Sequence, residues 1–137
     1  MRSISICLQV TVLTAGALMA AACSKSKEGE TFYAQTVDRL RDKGLEVREL
    51  EPAAAKPYNA KHCVRGQVEQ LDLLLCEYPD AAVAQQAEKK VQRFLDGAVS
   101  GALRRSATQV LAVADRDKRD LQGKAIQKAV TAFSERE

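Results

Sequence analysis

The 137 residues carry 21 Lys+Arg against 18 Asp+Glu, a formal net charge of +3. So even a balance gives no strong electrostatic steering toward nucleic acid, and with no Trp, three Tyr and three Phe the chain lacks a stacking platform for bases or sugars. The length suits one domain with one modest core.

In chain order, Met1-Arg2-Ser3 is a minimal positive start, and the run from Ile4 to Met19 is almost uncharged. It closes on Ala20-Ala21-Ala22-Cys23, after which Ser24-Lys25-Ser26-Lys27-Glu28-Gly29-Glu30 turns abruptly polar. A positive start, an apolar stretch and small residues at a cleavage point are the marks of an export signal. Small residues followed by Cys resemble the lipobox of bacterial lipoproteins. The resemblance covers residues 1–23 and implies cleavage before Cys23, a diacylglycerol on its thiol and often a further chain, such as palmitate, on the new amino group. It departs from the commonest pattern at Ala20, where Leu is usual. Ala20-x-Ala22 also fits ordinary signal peptidase, which would release a soluble protein with a free Cys23. The segment from Ile4 to Ala22 also approaches the ~20 residues that span a bilayer uncleaved. In enterobacterial lipoproteins an Asp after the Cys retains the protein in the inner membrane; here Ser24 follows, so the resemblance implies the outer membrane. Residues 23–30 are then the lipidated Cys and a tether whose stretch from Ser24 to Glu30 reaches about 25 Å if extended, at ~3.5 Å per residue.

Residues 31–137 make a single domain. From Thr31 to Lys43, Tyr33, Thr36, Val37 and Leu40 recur at helical spacing, and Gly44 is a natural stop. Leu45 to Glu49 alternates as a short strand, and Glu51 to Ala60, with Pro52 and Pro57, reads as a loop. Of the four cysteines, Cys7 leaves with the signal and Cys23 carries lipid. Cys63 and Cys76 remain, and an even pair in an exported domain favours a disulfide.

Lys61 to Val68 and Leu71 to Tyr78 read as a hairpin. If positions summing to 139 face each other, Val64 meets Leu75, Gly66 meets Leu73 and Val68 meets Leu71, one continuous apolar face. The other, less buried face then carries Arg65 opposite Leu74, Gln67 opposite Asp72 and Cys63 opposite Cys76, close enough for a disulfide. A slip of one residue would break both patterns. Glu69-Gln70 is a poor sequence for a tight primed turn, which favours a four-residue loop in the same register.

Asp80 caps a second helix with a stripe of Ala84, Ala87, Val91, Phe94, Leu95 and Ala98, loosened at its end by Gly97 and Gly101. Val110 to Ala114 is a central strand. Asp115 to Asp120 turns into a last helix that packs through Leu121, Ala125, Ile126, Ala129, Val130 and Phe133. The order predicts an α+β fold, a two-layer sandwich of about four mostly antiparallel strands with three helices.

No catalytic constellation stands out. His62 adjoins Cys63, but neighbours on a strand point to opposite faces, which disfavours both a thiol–imidazole pair and a metal site with Cys76. No Cys-x-x-Cys occurs. Asp115, Asp117 and Asp120 invite a calcium loop, yet Arg119 and Asp120 stand where that loop wants an acidic or amide residue and glycine. The simpler reading has Asp117 capping the last helix and Asp120 favouring its positive end. Gly123-Lys124 lacks the earlier glycine of a phosphate loop. Lys89, Lys90 and Arg93 form a basic patch that reads as a solvated helix face. The expectation is a membrane-tethered module with no cofactor, no metal, no catalysis and no nucleic-acid partner. It meets the membrane through its lipid and an envelope protein through its domain, or else binds a small molecule or envelope polymer.

Overall fold

The computed structural model describes residues 32–135, so the expected export signal, Cys23 and the expected tether lie outside the described residues. The elements are α1 (Ala34–Asp42), β1 (Val47–Ala53), β2 (His62–Val68), β3 (Leu71–Glu77), α2 (Ala81–Gln92), β4 (Ser100–Ser106), β5 (Gln109–Asp115) and α3 (Lys124–Ser134). All five strands join one antiparallel sheet in the order β1-β2-β3-β5-β4. The architecture is the expected α+β sandwich with three helices and one strand more than expected.

The β2–β3 hairpin has the register that both the apolar pattern and the thiols select: Val64 faces Leu75, Gly66 faces Leu73, Val68 faces Leu71 and Cys63 faces Cys76. The cysteines form a disulfide, with their Cα atoms 4.1 Å apart. The connection is the tight turn after all, with Glu69 and Gln70 at φ 50° and 65°. Two left-handed residues match the twist of the strands, which is why such turns usually contain Gly or Asn. A reciprocal pair of bonds supports Glu69 here. Its N–H donates to the Glu46 carbonyl at 2.9 Å, and its carboxylate accepts from the Glu46 N–H at 2.7 Å.

Val64, Val68, Leu71, Leu73 and Leu75 form one face of the sheet with Leu111 and Val113, covered by Val37 and Leu40 of α1 and by Ile126, Ala129, Ala132 and Phe133 of α3. The opposite face was expected to be the less buried one, yet Cys63 is only 5 % exposed and Cys76 and Leu74 no more than 1 %. The reason is α2, whose Ala84, Ala87 and Val91 pack onto Leu74, Cys76, Val110 and Ala112. Helices therefore lie on both faces, which makes three layers where two were expected.

β4 was not foreseen; Gly101 belongs to it rather than to a loosening helix end. It runs against β5 with Ser100 facing Asp115 and Ser106 facing Gln109. A Cβ at Gly101 would come within 2.8 Å of the Val113 carbonyl and 2.9 Å of Leu95, so glycine here lets the chain after α2 lie flat on the strand. α2 itself ends at Gln92 and tightens into a 3-10 turn over Arg93–Leu95, leaving Ala98 outside the helix. β1 runs on to Ala53 across a bulge between Arg48 and Glu51, so part of the expected loop is an edge strand, and Pro52 is tolerated there.

Asp80 caps α2 as expected, its carboxylate accepting from the Val83 N–H at 2.9 Å. Asp80→Ala is expected to lower the unfolding free energy by about 1 kcal/mol, read from the urea midpoint by circular dichroism. An unchanged midpoint would mean that the packing of α2 alone sets its start.

The approach to α3 departs from expectation. Leu121 does not pack but is 82 % exposed, because α3 begins only at Lys124. Asp120 reaches forward to accept from the Ile126 N–H at 2.9 Å. Asp115, rather than Asp117, organises the loop. Its carboxylate accepts from the N–H groups of Asp117, Arg119 and Asp120 at 3.2, 3.0 and 2.9 Å.

Candidate functional site

Strand alternation makes the α2-facing side of the sheet a grid of rows, each crossing all five strands. One row reads Ala53, Cys63, Cys76, Val110, Arg105; the next Glu51, Arg65, Leu74, Ala112, Leu103; the third Arg48, Gln67, Asp72, Ala114, Gly101. Toward β3, β5 and β4 the grid is apolar except for Asp72 and Arg105 at its margins, and α2 or the chain behind it covers its centre. Toward β1 and β2 it turns polar, with Glu51, Arg65 and Gln67 at a corner that no helix covers. A sheet corner open to water is polar as a rule; what makes this one the candidate site is that two hollows meet there.

Two adjoining hollows share Arg65. One, of about 430 Å³, is floored by β1 and β2 and bounded by Glu49, Glu51, Gln67 and Asp72. The other, of about 380 Å³, lies between the 3-10 turn Lys56–Tyr58 and the turn Arg93–Leu95. Leu74 is at its floor, Tyr58 and Phe94 on its sides, and Arg65, Arg93 and Arg116 at its rim.

Each wall is fixed by a specific interaction. Tyr78, buried at the end of β3, donates its hydroxyl to the Tyr58 carbonyl at 2.9 Å. Burial first, and then nearby Tyr58, push its hydroxyl up to about 12, so it stays a neutral donor. On the far side, Arg116 donates to the Phe94 carbonyl at 2.5 Å and the Asp96 carbonyl at 2.8 Å, and pairs with Asp72 at 2.8 Å. Its guanidinium also lies 5.5 Å from the centre of the Phe94 ring. Arg116 is thus a positioning residue that holds the aromatic wall against the sheet.

At the end of β5, backbone N–H groups of Arg119 and Asp120 outweigh burial, with smaller help from Asp117 and Lys118, and hold the Asp115 carboxyl below its ordinary value of 3.8. A carboxyl that ionises more readily when folded stabilises the fold above its unfolded value, and that contribution is lost as pH falls through the lower folded one. Stability should therefore fall below pH ~4, and Asp115→Asn should flatten that acid limb in urea midpoints measured across pH 2–6. An unchanged limb would assign the acid sensitivity to other carboxylates.

Of the residues singled out from sequence, Cys63 and Cys76 meet in the disulfide one row from the open corner. His62 is the first residue of β2 and stacks on Phe32 at 6.0 Å, away from the α2 side that Cys63 faces. The Asp115 oxygens are engaged by the backbone, and among the described residues no group of three or more His, Cys, Asp and Glu could hold a metal ion. Lys89 and Lys90 are exposed on α2, while Arg93 parts from them to line the cleft. Cys23 lies outside the described residues, among which no helix is long and apolar enough to cross a membrane. Arg116, Tyr58 and Phe94 were missed as site residues; the one available signal was the polar side of the hairpin, where Arg65, Gln67 and Asp72 stand together. The chain matches no protein-family model, no curated protein and no solved structure.

Proposed function

We propose that the chain is a lipoprotein of the cell envelope, held to the outer membrane by lipid on Cys23, whose domain is a non-catalytic interaction module for an envelope protein. The observation that carries the exported half of this reading is the Cys63–Cys76 disulfide, buried between α2 and the sheet. Such bonds persist in oxidising compartments and are rare where thiols are kept reduced. The chemistry-bearing groups favour binding over catalysis: both thiols are consumed, His62 is turned from them, and Asp115 is saturated by its own loop. The open corner favours a second reading, in which the module binds an envelope small molecule or polymer. Concave sites that combine aromatic sides with a few placed polar groups are the usual form of small-molecule sites.

Intact mass spectrometry of the detergent-extracted protein, with and without reductant, tests the first reading. The expected mass begins at Cys23, carries two or three acyl chains and rises by about two daltons on reduction. An unacylated chain starting at Cys23 or carrying its full signal would overturn the anchor. Crosslinking that captures one stoichiometric envelope protein supports the protein-partner reading. A thermal shift with cell-wall fragments supports the other.

A further inference from the structure

We infer that the cleft between Tyr58 and Phe94 binds a small oxyanion carried on a flat apolar body. The inference rests on the small-molecule reading above and is independent of the anchor.

The charges of the cleft decide its ligand. Arg116 is spent: Asp72 neutralises it, and two carbonyls hold it in place. Arg65 and Arg93 are not. The one ion pair of Arg65 among the described residues is with Glu51 at 3.7 Å, in which both side chains are more than 60 % exposed. A long, solvated pair of this kind is weak and easily exchanged for a better anion. The Arg93 side chain has neither a hydrogen bond nor an ion pair among the described residues. Two guanidinium groups with free donors thus stand at the rim of one hollow, and guanidinium presents parallel N–H groups that match a carboxylate or phosphate in pairs.

The rest of the cleft specifies what the anion is attached to. Leu74 is fully buried under the floor, and Tyr58 and Phe94 are half-buried at the sides. A volume of about 380 Å³ admits one ring and its charged group. Because Tyr78 and Arg116 pin the two aromatic sides, the cleft is preformed, and binding requires little ordering.

The test uses the full protein as it is extracted from cells, isotope-labelled in detergent micelles, with phenyl phosphate as the probe and benzyl alcohol as its neutral counterpart. Amide resonances of Tyr58, Arg65, Leu74 and Phe94 are expected to shift saturably with phenyl phosphate, with a midpoint on the order of 1 mM. Arg65→Gln and Arg93→Gln should each raise that midpoint roughly fivefold, the scale of one exposed ion pair. Lys128→Gln, on the opposite side of the sheet, should leave it unchanged. Both arginines are exposed, so the variants' unchanged spectra will certify their folding. Equal midpoints for the two probes would overturn the oxyanion while leaving the small-molecule reading intact. Absence of saturable shifts at these amides, or arginine variants that bind like the parent, would overturn the inference outright.

Discussion

Cys23→Ser is expected to move the whole of the protein from the membrane fraction to the soluble fraction, the largest effect any single substitution should have. The physical basis is the hydrocarbon. Each buried methylene contributes about 0.8 kcal/mol, so one chain binds marginally and two or three attach the protein in effect permanently. Serine offers no thiol to receive diacylglycerol, and the polar stretch from Ser24 to Glu30 cannot substitute for it. Fractionation of cells making each form, with immunodetection, provides the measurement. Retention of the Cys23→Ser variant on membranes would point to an uncleaved apolar segment from Ile4 to Ala22. Release of the parent form would point to ordinary cleavage.

Removal of the disulfide should have the largest effect on folding. The bond joins residues 13 apart, and in the chain-entropy model closing such a loop contributes about 3 kcal/mol. Against a total of roughly 5–15 kcal/mol for a domain of this kind, that is a substantial share. Double replacement, Cys63→Ala with Cys76→Ala, should therefore lower the melting temperature by roughly 15 °C. Reduction of the parent separates two contributions. It restores the freedom of the unfolded chain but keeps both sulfurs in place under α2, so reduced parent should lie between oxidised parent and double variant. A loss below about 1 kcal/mol would mean that the flanking strands β1 and β5 hold the hairpin together without it.

The legibility of this fold varied with how many constraints met at each residue. In the β2–β3 hairpin two independent patterns, the Val64–Val68–Leu71–Leu75 face and the cysteine pair, demanded the same register, and the structure has it. Its turn was misjudged because the support for Glu69 comes from Glu46, more than twenty residues away. β4 escaped notice because Ser-Gly-Ala-Leu-Arg-Arg-Ser has no clean alternation. As an edge strand with over half its residues exposed, it needs none. Leu121 was assigned to the core because its spacing suits a helix that in fact starts three residues later. The cleft was hardest of all. Tyr58, Arg65, Phe94 and Arg116 come from four separate segments, and Arg116 was hidden inside a run of alternating charges. Only the sheet register could bring them together, whereas the polar side of the hairpin was visible in the residue pairing alone.

The attachment of α1 has a mechanical consequence. Gln109, at the start of β5, donates through its side-chain amide to the Phe32 carbonyl at 2.9 Å and accepts from the Thr36 hydroxyl at 3.1 Å. Every residue of β5 is buried, with β3 on one side and β4 on the other. A pull arriving from the N-terminal side at Phe32 is therefore delivered to an interior strand and shared across several hydrogen-bonded neighbours, rather than peeling an outer strand from the sheet. For a domain leashed at that end, the load path runs into the part of the molecule best able to resist it, and the cleft, on the opposite face and further along the strands, stays out of the line of force.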